Sequence, residues 1–322
     1  MASIHVGPDD KQIVMCGSET ILAASLREGI PHAYACGGRA RCSICRISVE
    51  EGIEFCSPRS RGERAVCERL RFSPEVRLAC QTKIAGDIKV RRLVIDDDDV
   101  EFTRGIAEGP HQVSIGEEKA LAILFADIRN FTTLSEALPP YDVIYFLNRY
   151  FQHVGKVISS YGGYIDNYMG DGLMALFGHD DQSDAAFRAV SAGLAMLEDV
   201  AVGSQHFEDI YGVSVRIGVG IHYGNVVLGT IGAAGRLRMT AIGDAVNFAS
   251  RIESANKKYG TELLISNDVH SQLAERITIG SRIQHVVIEG KTGEHVLYEV
   301  KGLRTDASAG NMPKIDTLLR AS

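Results

Sequence analysis

The sequence predicts an α+β chain of two domains. The first sign is segregation: all seven cysteines, at positions 16, 36, 42, 45, 56, 67 and 80, fall in the first quarter of a 322-residue chain. A second is the acidic run 96–99, with Glu101, which reads as a solvated linker. A third is the order of patterns beyond it, where strand-length apolar runs, a hairpin and helically spaced stripes alternate irregularly. That order suits a mixed sheet rather than a doubly wound parallel one. The length gives each domain room for a core. The apolar fraction of 45% and charged fraction of 23% are those of a globular protein. A net charge of −7 argues against a large nucleic-acid or anionic-membrane surface. No apolar run approaches the ~18 residues of a membrane span, and the N-terminus lacks the basic and apolar regions of a signal peptide. The expectation is a cytoplasmic protein whose cysteines are metal ligands or thiols rather than disulfides.

In chain order, the first domain reads as a strand over 11–15 and a short helix over 20–28, stopped by Gly29 and Pro31. A cysteine loop follows, then strands over 44–49, 76–80 and 87–90. The second opens with the apolar strand 121–125. The stripe Val143, Phe146, Leu147, Tyr150, Phe151, Val154 and Ile158 has helical spacing and reads as core. A hairpin follows, with strands 164–168 and 173–177 about the turn Gly170-Asp171-Gly172. A helix over 183–197, strands over 213–221 and 226–230, and a helix over 244–258 complete the centre. The polar tail after Lys301 is expected to be poorly ordered.

The cysteine loop has the spacing C-x5-C-x2-C over Cys36, Cys42 and Cys45, with Cys80 on a later strand. Its glycines let backbone N–H groups approach the sulfurs, and such hydrogen bonds tune the potential of an iron–sulfur cluster. Zinc usually takes two close cysteine pairs, and this loop holds one C-x2-C; zinc and inert thiols remain the competing readings. With the contexts Ala35-Cys36-Gly37-Gly38 and Leu78-Ala79-Cys80-Gln81, residues 3–95 resemble the vertebrate- and bacterial-type [2Fe–2S] ferredoxins. The resemblance implies a β-grasp fold, cluster ligands Cys36, Cys42, Cys45 and Cys80, and a ferredoxin reductase or other redox partner. Cys16, Cys56 and Cys67 match no ligand position and read as packing or surface thiols.

Asp127 ends an apolar strand and Asp171 sits at a hairpin tip. Two carboxylates held so rigidly suit two divalent cations for phosphoryl chemistry, while each aspartate alone reads as a turn residue. On the predicted helix 244–258, Asn247 and Arg251 lie one turn apart. An amide beside a guanidinium suits a nucleotide sugar and a developing phosphate charge. The glycine run 218–224 has one residue too many for a dinucleotide fingerprint and reads as a strand.

The stretches 124–132, 168–177 and 243–251 together resemble the class III nucleotide cyclases, over residues 118–301. The resemblance implies an α/β sandwich on a ferredoxin-like βαββαβ core. It implies Asp127 and Asp171 as ligands of two Mg²⁺ or Mn²⁺ ions, assisted by the Ile128 carbonyl. Asn247 would orient the ribose, Arg251 would stabilise the α-phosphoryl transition state, and Arg236 and Lys291 would hold the outer phosphates. Because such sites combine metal ligands from one chain with the Asn/Arg pair of another, a homodimer is implied. Asn167 and Thr240 occupy the purine-recognition positions, and Asn167 stands where adenylate cyclases of the family carry lysine. The expected activity is conversion of ATP to 3′,5′-cyclic AMP and pyrophosphate, regulated through the cluster. A guanylate cyclase, and an electron carrier with a degenerate cyclase domain, are the alternatives. The expected domains are 1–95, a linker 96–117, 118–301 and a tail 302–322.

Overall fold

A computed structural model describes residues 2–94, 116–232, 237–287 and 293–304. The chain divides into two compact units, Met1–Glu117 and Glu118–Ser322.

The first unit is a five-stranded sheet in the order β2-β1-β5-β3-β4. Its strands are β1 (Ser3–Gly7), β2 (Lys11–Val14), β3 (Arg46–Glu51), β4 (Val76–Leu78) and β5 (Ile88–Arg92). β1 pairs antiparallel with β2 and parallel with β5, the arrangement of a β-grasp sheet. Helix α1 (Ile21–Arg27) starts where the Thr20 hydroxyl accepts from the Ala23 N–H, and its Ile21, Leu22 and Ala24 join the core against Ile4, Ile13, Ile47 and Val90. Sequence patterning predicted four of these five strands. It missed β1, where only Ile4 and Val6 alternate inward, and α2 (Arg61–Leu70), whose sequence is largely charged. The Ser60 hydroxyl caps α2 by accepting from the Glu63 N–H, and Arg71 closes it with a left-handed φ of 53°.

The second unit is an eight-stranded sheet. It begins with β6 (Glu117–Ile128), α3 (Phe131–Ala137), α4 (Pro140–Ser160), β7 (Gly163–Met169), β8 (Gly172–Phe177), α5 (Ala185–Tyr211) and β9 (Ile217–Ile231). It continues through β10 (Arg238–Ile242), α6 (Asp244–Tyr259), β11 (Leu263–Ser266), α7 (Asn267–Leu273), β12 (Ile277–Val287) and β13 (Glu294–Leu303). The sheet order is β12-β13-β11-β9-β6-β8-β7, with β10 paired to β9. Its inner part, β9-β6-β8-β7, is a βαββαβ core. On one face the buried stripe of α4, Phe146, Tyr150, Val154 and Ile158, packs with α5, where Phe146 and Phe207 meet edge to face at 4.7 Å. On the other face Ala245 and Ala249 of α6 lie against Leu121, Ile123 and Phe125 of β6. Among the described residues no helix is long and apolar enough to cross a membrane.

Two predicted boundaries move. The helix expected over 183–197 runs to Tyr211, because Val200, Ser204 and Phe207 continue the buried stripe until Gly212 ends it at φ 67°. The strands expected over 213–221 and 226–230 are one strand, β9. Gly224 is no turn within it: a Cβ there would stand 2.9 Å from the Ala245 Cβ, so the glycine lets α6 lie close on the sheet. The expected linker and tail fall mostly outside the described residues, as do Arg236 and Lys291.

Candidate functional site

In the first unit the four predicted cluster cysteines stand as two pairs. The Cys36 and Cys42 sulfurs are in hydrogen-bonding contact, as are those of Cys45 and Cys80. The loop between them is wound by left-handed residues at Gly37, Gly38 and Ala40 (φ 62°, 78° and 53°), which turn backbone N–H groups inward. The Arg41 N–H donates to Cys36 Sγ at 3.5 Å, and the Gln81 side-chain amide donates to Cys80 Sγ at 3.6 Å. The Cys45 thiol, the Gln81 amide and the Ala40 N–H lower Cys80 to about 6 against the cost of burial, while its partner Cys45 is driven up by the same contact. Among the described residues, no three His, Cys, Asp or Glu side chains close on a single ion. Two thiol pairs in a cradle of N–H donors fit a binuclear cluster with two ligands per iron, and do not fit one four-cysteine zinc.

Sequence reasoning missed what positions the fourth ligand. Glu63 of α2, fully buried, accepts from Arg77 Nε at 2.9 Å, from Arg77 Nη2 at 3.1 Å and from the Leu78 N–H at 2.9 Å. The Gln81 amide donates to the Gly38 carbonyl at 2.8 Å and accepts from Ser60, the α2 cap, at 3.0 Å. Thus α2 ties Cys80 to the loop. The capping residue Ser60, followed three positions on by Glu63, was the available sequence signal.

In the second unit, the pairing of Ala126 with Leu173 sets Asp127, at the end of β6, beside the β7–β8 turn that carries Asp171. Gly170 supplies the positive φ of that two-residue turn, and Gly172 supplies space, since a Cβ on it would stand 2.9 Å from Asp127 Oδ1. The two carboxylates are in contact. Burial first, and then the charge of Asp171, push Asp127 up to about 6, with Arg129 opposing. Two carboxylates in contact at a strand end are a hard oxygen donor set, which fits a divalent metal.

Arg129, another residue the sequence reading passed over, lies over Gly218 of β9 and ion-pairs with Glu253 of α6 at 3.0 Å. Burial pushes Glu253 up to about 7, with Arg129 pulling it down and Asp127 adding to the rise. Glu253 is therefore held by Arg129 within range of the charge of Asp127. Asn247 and Arg251 lie one turn apart on the exposed face of that helix. On β7 a few residues before that turn, Arg238 Nη1 donates to Asn167 Oδ1 at 2.8 Å, and the Thr240 hydroxyl donates to Asp166 Oδ2 at 2.8 Å. The two predicted purine residues thus join one cluster with Asp166 and Arg238, neither of which the sequence reading singled out.

Over residues 113–302 the chain matches the adenylate and guanylate cyclase catalytic domain, and over residues 4–85 the 2Fe-2S iron-sulfur cluster binding domain. It is 38% identical over 198 residues to a protein of Anabaena cylindrica named adenylate cyclase, covering 59% of this chain and 38% of that one. It is 36% identical over 209 residues to the terminal-differentiation-specific adenylate cyclase of Dictyostelium discoideum, covering 62% of this chain and 10% of that one. The chain therefore spans well under half the length of these curated relatives. Among solved structures it is similar to the guanylyl cyclase Cya2 (33% identical, TM-score 0.56, covering 60% of this chain and 97% of that one). It is as similar to the adenylyl cyclase CyaB from P. aeruginosa (33% identical, TM-score 0.55, covering 59% and 98%). These two structures bear names with different bases at equal identity, so likeness alone does not choose between ATP and GTP. The match over more than half of the chain, on a βαββαβ core that brings Asp127 against Asp171, means that the chain belongs to the adenylate and guanylate cyclase catalytic domain family, with a 2Fe-2S cluster-binding domain on its N-terminal side.

Proposed function

We propose that the chain is an adenylate cyclase that converts ATP to 3′,5′-cyclic AMP and pyrophosphate, in a cytoplasmic homodimer regulated through its [2Fe–2S] cluster. The observation that carries this reading is the split of the machinery within one chain. The carboxylates of Asp127 and Asp171 touch, while Asn247 and Arg251 face outward from α6. Two copies arranged head to tail bring the outward pair of one to the carboxylates of the other, giving two sites per dimer.

In the reaction the ribose 3′-oxygen attacks the α-phosphorus, and the bond from that phosphorus to the bridging oxygen of pyrophosphate breaks. Asp127, Asp171 and the Ile128 carbonyl would hold Mg²⁺ or Mn²⁺, which supplies a lowered 3′-hydroxyl pKa and neutralises phosphate charge. Asn247 holds the ribose so that the 3′-oxygen lies in line with the leaving group. Arg251 sets a guanidinium against the charge that develops on the α-phosphoryl oxygens. Arg236 and Lys291 are assigned to the outer phosphates, and Asn167 and Thr240 to the purine. Residues 1–95 form the cluster domain, 96–117 the linker, 118–301 the catalytic domain and 302–322 the tail.

Cyclisation moves no electrons, so a cluster in the same chain serves control better than turnover. A cluster held by Cys36, Cys42, Cys45 and Cys80 would supply a one-electron change of charge at the thiol cradle, which would bias an equilibrium between dimer geometries. Product analysis of anaerobically purified protein given ATP or GTP with Mn²⁺, beside Asp171→Ala, tests the activity. Cyclic AMP from the parent and none from the variant is expected. Cyclic GMP would move the assignment to a guanylate cyclase. Reduction by a ferredoxin reductase with no cyclic product would move it to an electron carrier. Equal turnover by fully oxidised and fully reduced protein would remove the regulatory role.

A further inference from the structure

The cluster domain reverses the charge of the chain that carries it. Residues 1–95 hold 15 Lys or Arg against 11 Asp or Glu, although the whole chain has a net charge of −7. The surplus gathers around the thiols. No Asp or Glu occurs over 31–49 or 76–86, the two stretches that carry all four cluster cysteines. Arg39 and Arg41 are exposed and stand between Cys36 and Cys42 in the loop. That cysteine pair is half-buried, whereas Cys45 and Cys80 are buried, so a cluster held there would open to solvent beside the two arginines. Helix α2 adds two more cations. A Cβ on Gly62 would stand 2.9 Å from the Ala40 Cβ, so the first turn of α2, with the exposed Arg61 and Arg64, lies against the loop. The exposed carboxylate of α2, Glu68, is in its far half next to Arg69. Among the described residues none of Arg39, Arg61 and Arg64 has an ion-pair partner. Tyr34, 36% exposed two residues before Cys36, gives the same rim an aromatic face of the kind protein interfaces favour.

We propose that Arg39, Arg41, Arg61 and Arg64 form a docking rim for an acidic one-electron carrier protein, which reduces the cluster from its Cys36–Cys42 side. Exposed guanidiniums around a redox group steer an anionic partner to it and fix its orientation. A nucleic acid would also be drawn to arginines, but it has no electron to give, and the rim is small within an acidic chain. In the step itself one electron passes from the partner's reduced centre to the oxidised cluster, and no bond or proton moves. The inference rests on the reading of the four cysteines as cluster ligands. It adds where the reductant docks and what charge its surface carries.

The test uses the full chain and small probes of opposite charge. Ferricyanide and tris(phenanthroline)cobalt(III) each take one electron from the reduced cluster, so stopped-flow reoxidation reads the local field. The ferricyanide rate should fall about tenfold between roughly 0.01 and 0.5 M salt, while the cobalt rate rises. The triple variant Arg39→Gln, Arg61→Gln, Arg64→Gln changes only exposed side chains. It should slow ferricyanide about tenfold at low salt and speed the cationic oxidant, with the visible absorption unchanged. A packing defect would move both rates the same way. Lys11→Gln, on β2 at the opposite edge of the sheet from β4, should leave both rates unchanged. Binding of fluorescein-labelled oligoglutamate, followed by anisotropy, should weaken about tenfold in the triple variant, and this readout needs no electron transfer. A visible cluster whose parent rates favour the cationic probe at low salt, or whose rates the triple variant leaves unchanged, overturns this proposal alone. Single-stranded RNA that binds more tightly than oligoglutamate, and is lost in the triple variant, overturns the choice of partner. Anaerobically purified protein without a [2Fe–2S] spectrum overturns the cluster reading and this proposal together.

Discussion

Cys80 in the first unit is drawn down toward its charged form, to about 6, by the Cys45 thiol and the N–H donors around it. Asp127 in the second is pushed up toward its neutral form, also to about 6, by burial and by Asp171. Cys80 lies just beyond the end of β4, Asp127 lies near the end of β6, and in the proposed function each is an anionic ligand. The difference is in who supplies the compensating charge. The cysteine cradle carries its own donors, wound inward by Gly37, Gly38 and Ala40, and all four thiols come from one chain. The carboxylate pair has no such cradle and depends on a cation and, in the proposed dimer, on a second chain. On the proposed function, the contrast is between a cluster site supplied by one chain and a nucleotide site shared between two.

The sharpest way to break the comparison is Asp171→Ala. Removing one of two metal carboxylates should lower cyclic nucleotide formation roughly 10³-fold or more, while the visible absorption of the cluster stays unchanged. Loss of both signals together would mean that the two sites are not independent structures. The next test asks whether the site is shared. Asp171→Ala and Arg251→Ala, each inactive alone, should recover about a quarter of parental activity when mixed and allowed to exchange subunits, since half the dimers are mixed and each has one intact site of two. No recovery, with exchange shown by mass measurement, would place all the machinery in one chain.

The self-sufficiency of the first unit has a matching weak point. Cys80 lies far along the chain from the loop, and its placement rests on Glu63 and Arg77, both nearly inaccessible to solvent. Glu63→Ala leaves the Arg77 charge and the Leu78 N–H buried without their acceptor, a loss of about 3–5 kcal/mol. Denaturant unfolding of that unit and the retention of iron should both report it. Glu63→Gln, which keeps an acceptor, should cost less.

How far each site could be read from sequence follows from the same contrast. Cys36, Cys42 and Cys45 announce themselves because a loop encodes its geometry in its spacing. Asp171 is legible because Gly170 and Gly172 mark a tight turn on either side of it. The residues that escaped notice act across the fold: Glu63 from a charged helix, Arg129 paired with Glu253, and Arg238 reaching Asn167 from a strand that sequence patterning did not predict. Their partners are 14, 124 and 71 positions away in the chain, so no local pattern could pair them. The merging of two predicted strands into β9 has a similar cause, because Gly224 serves α6 packing rather than a turn.

The last prediction concerns pH, and it follows from the upward direction in which Asp127 is pushed. A cation at the carboxylate pair must displace the proton that burial and Asp171 hold on Asp127 near pH 6. Metal affinity measured by titration calorimetry should therefore rise up to about tenfold per pH unit below 6 and level off above about 7. Asp171→Asn removes the neighbouring charge, so the rise should shift to lower pH even as the affinity itself falls. Stability of the metal-free catalytic unit should run the other way. Asp127 and Glu253 both have folded values raised above their ordinary 3.8 and 4.5, to about 6 and about 7. Their contribution is thus complete below about pH 4 and is lost as pH rises through 6 and 7. Saturating Mg²⁺ should remove the share due to Asp127, because the cation then stabilises its charged form, and leave the share due to Glu253. A metal-free unit whose denaturation midpoint is flat between pH 5 and 7.5 would mean that the carboxylate pair is not held in contact in solution, and the split-site reading would lose its geometric basis.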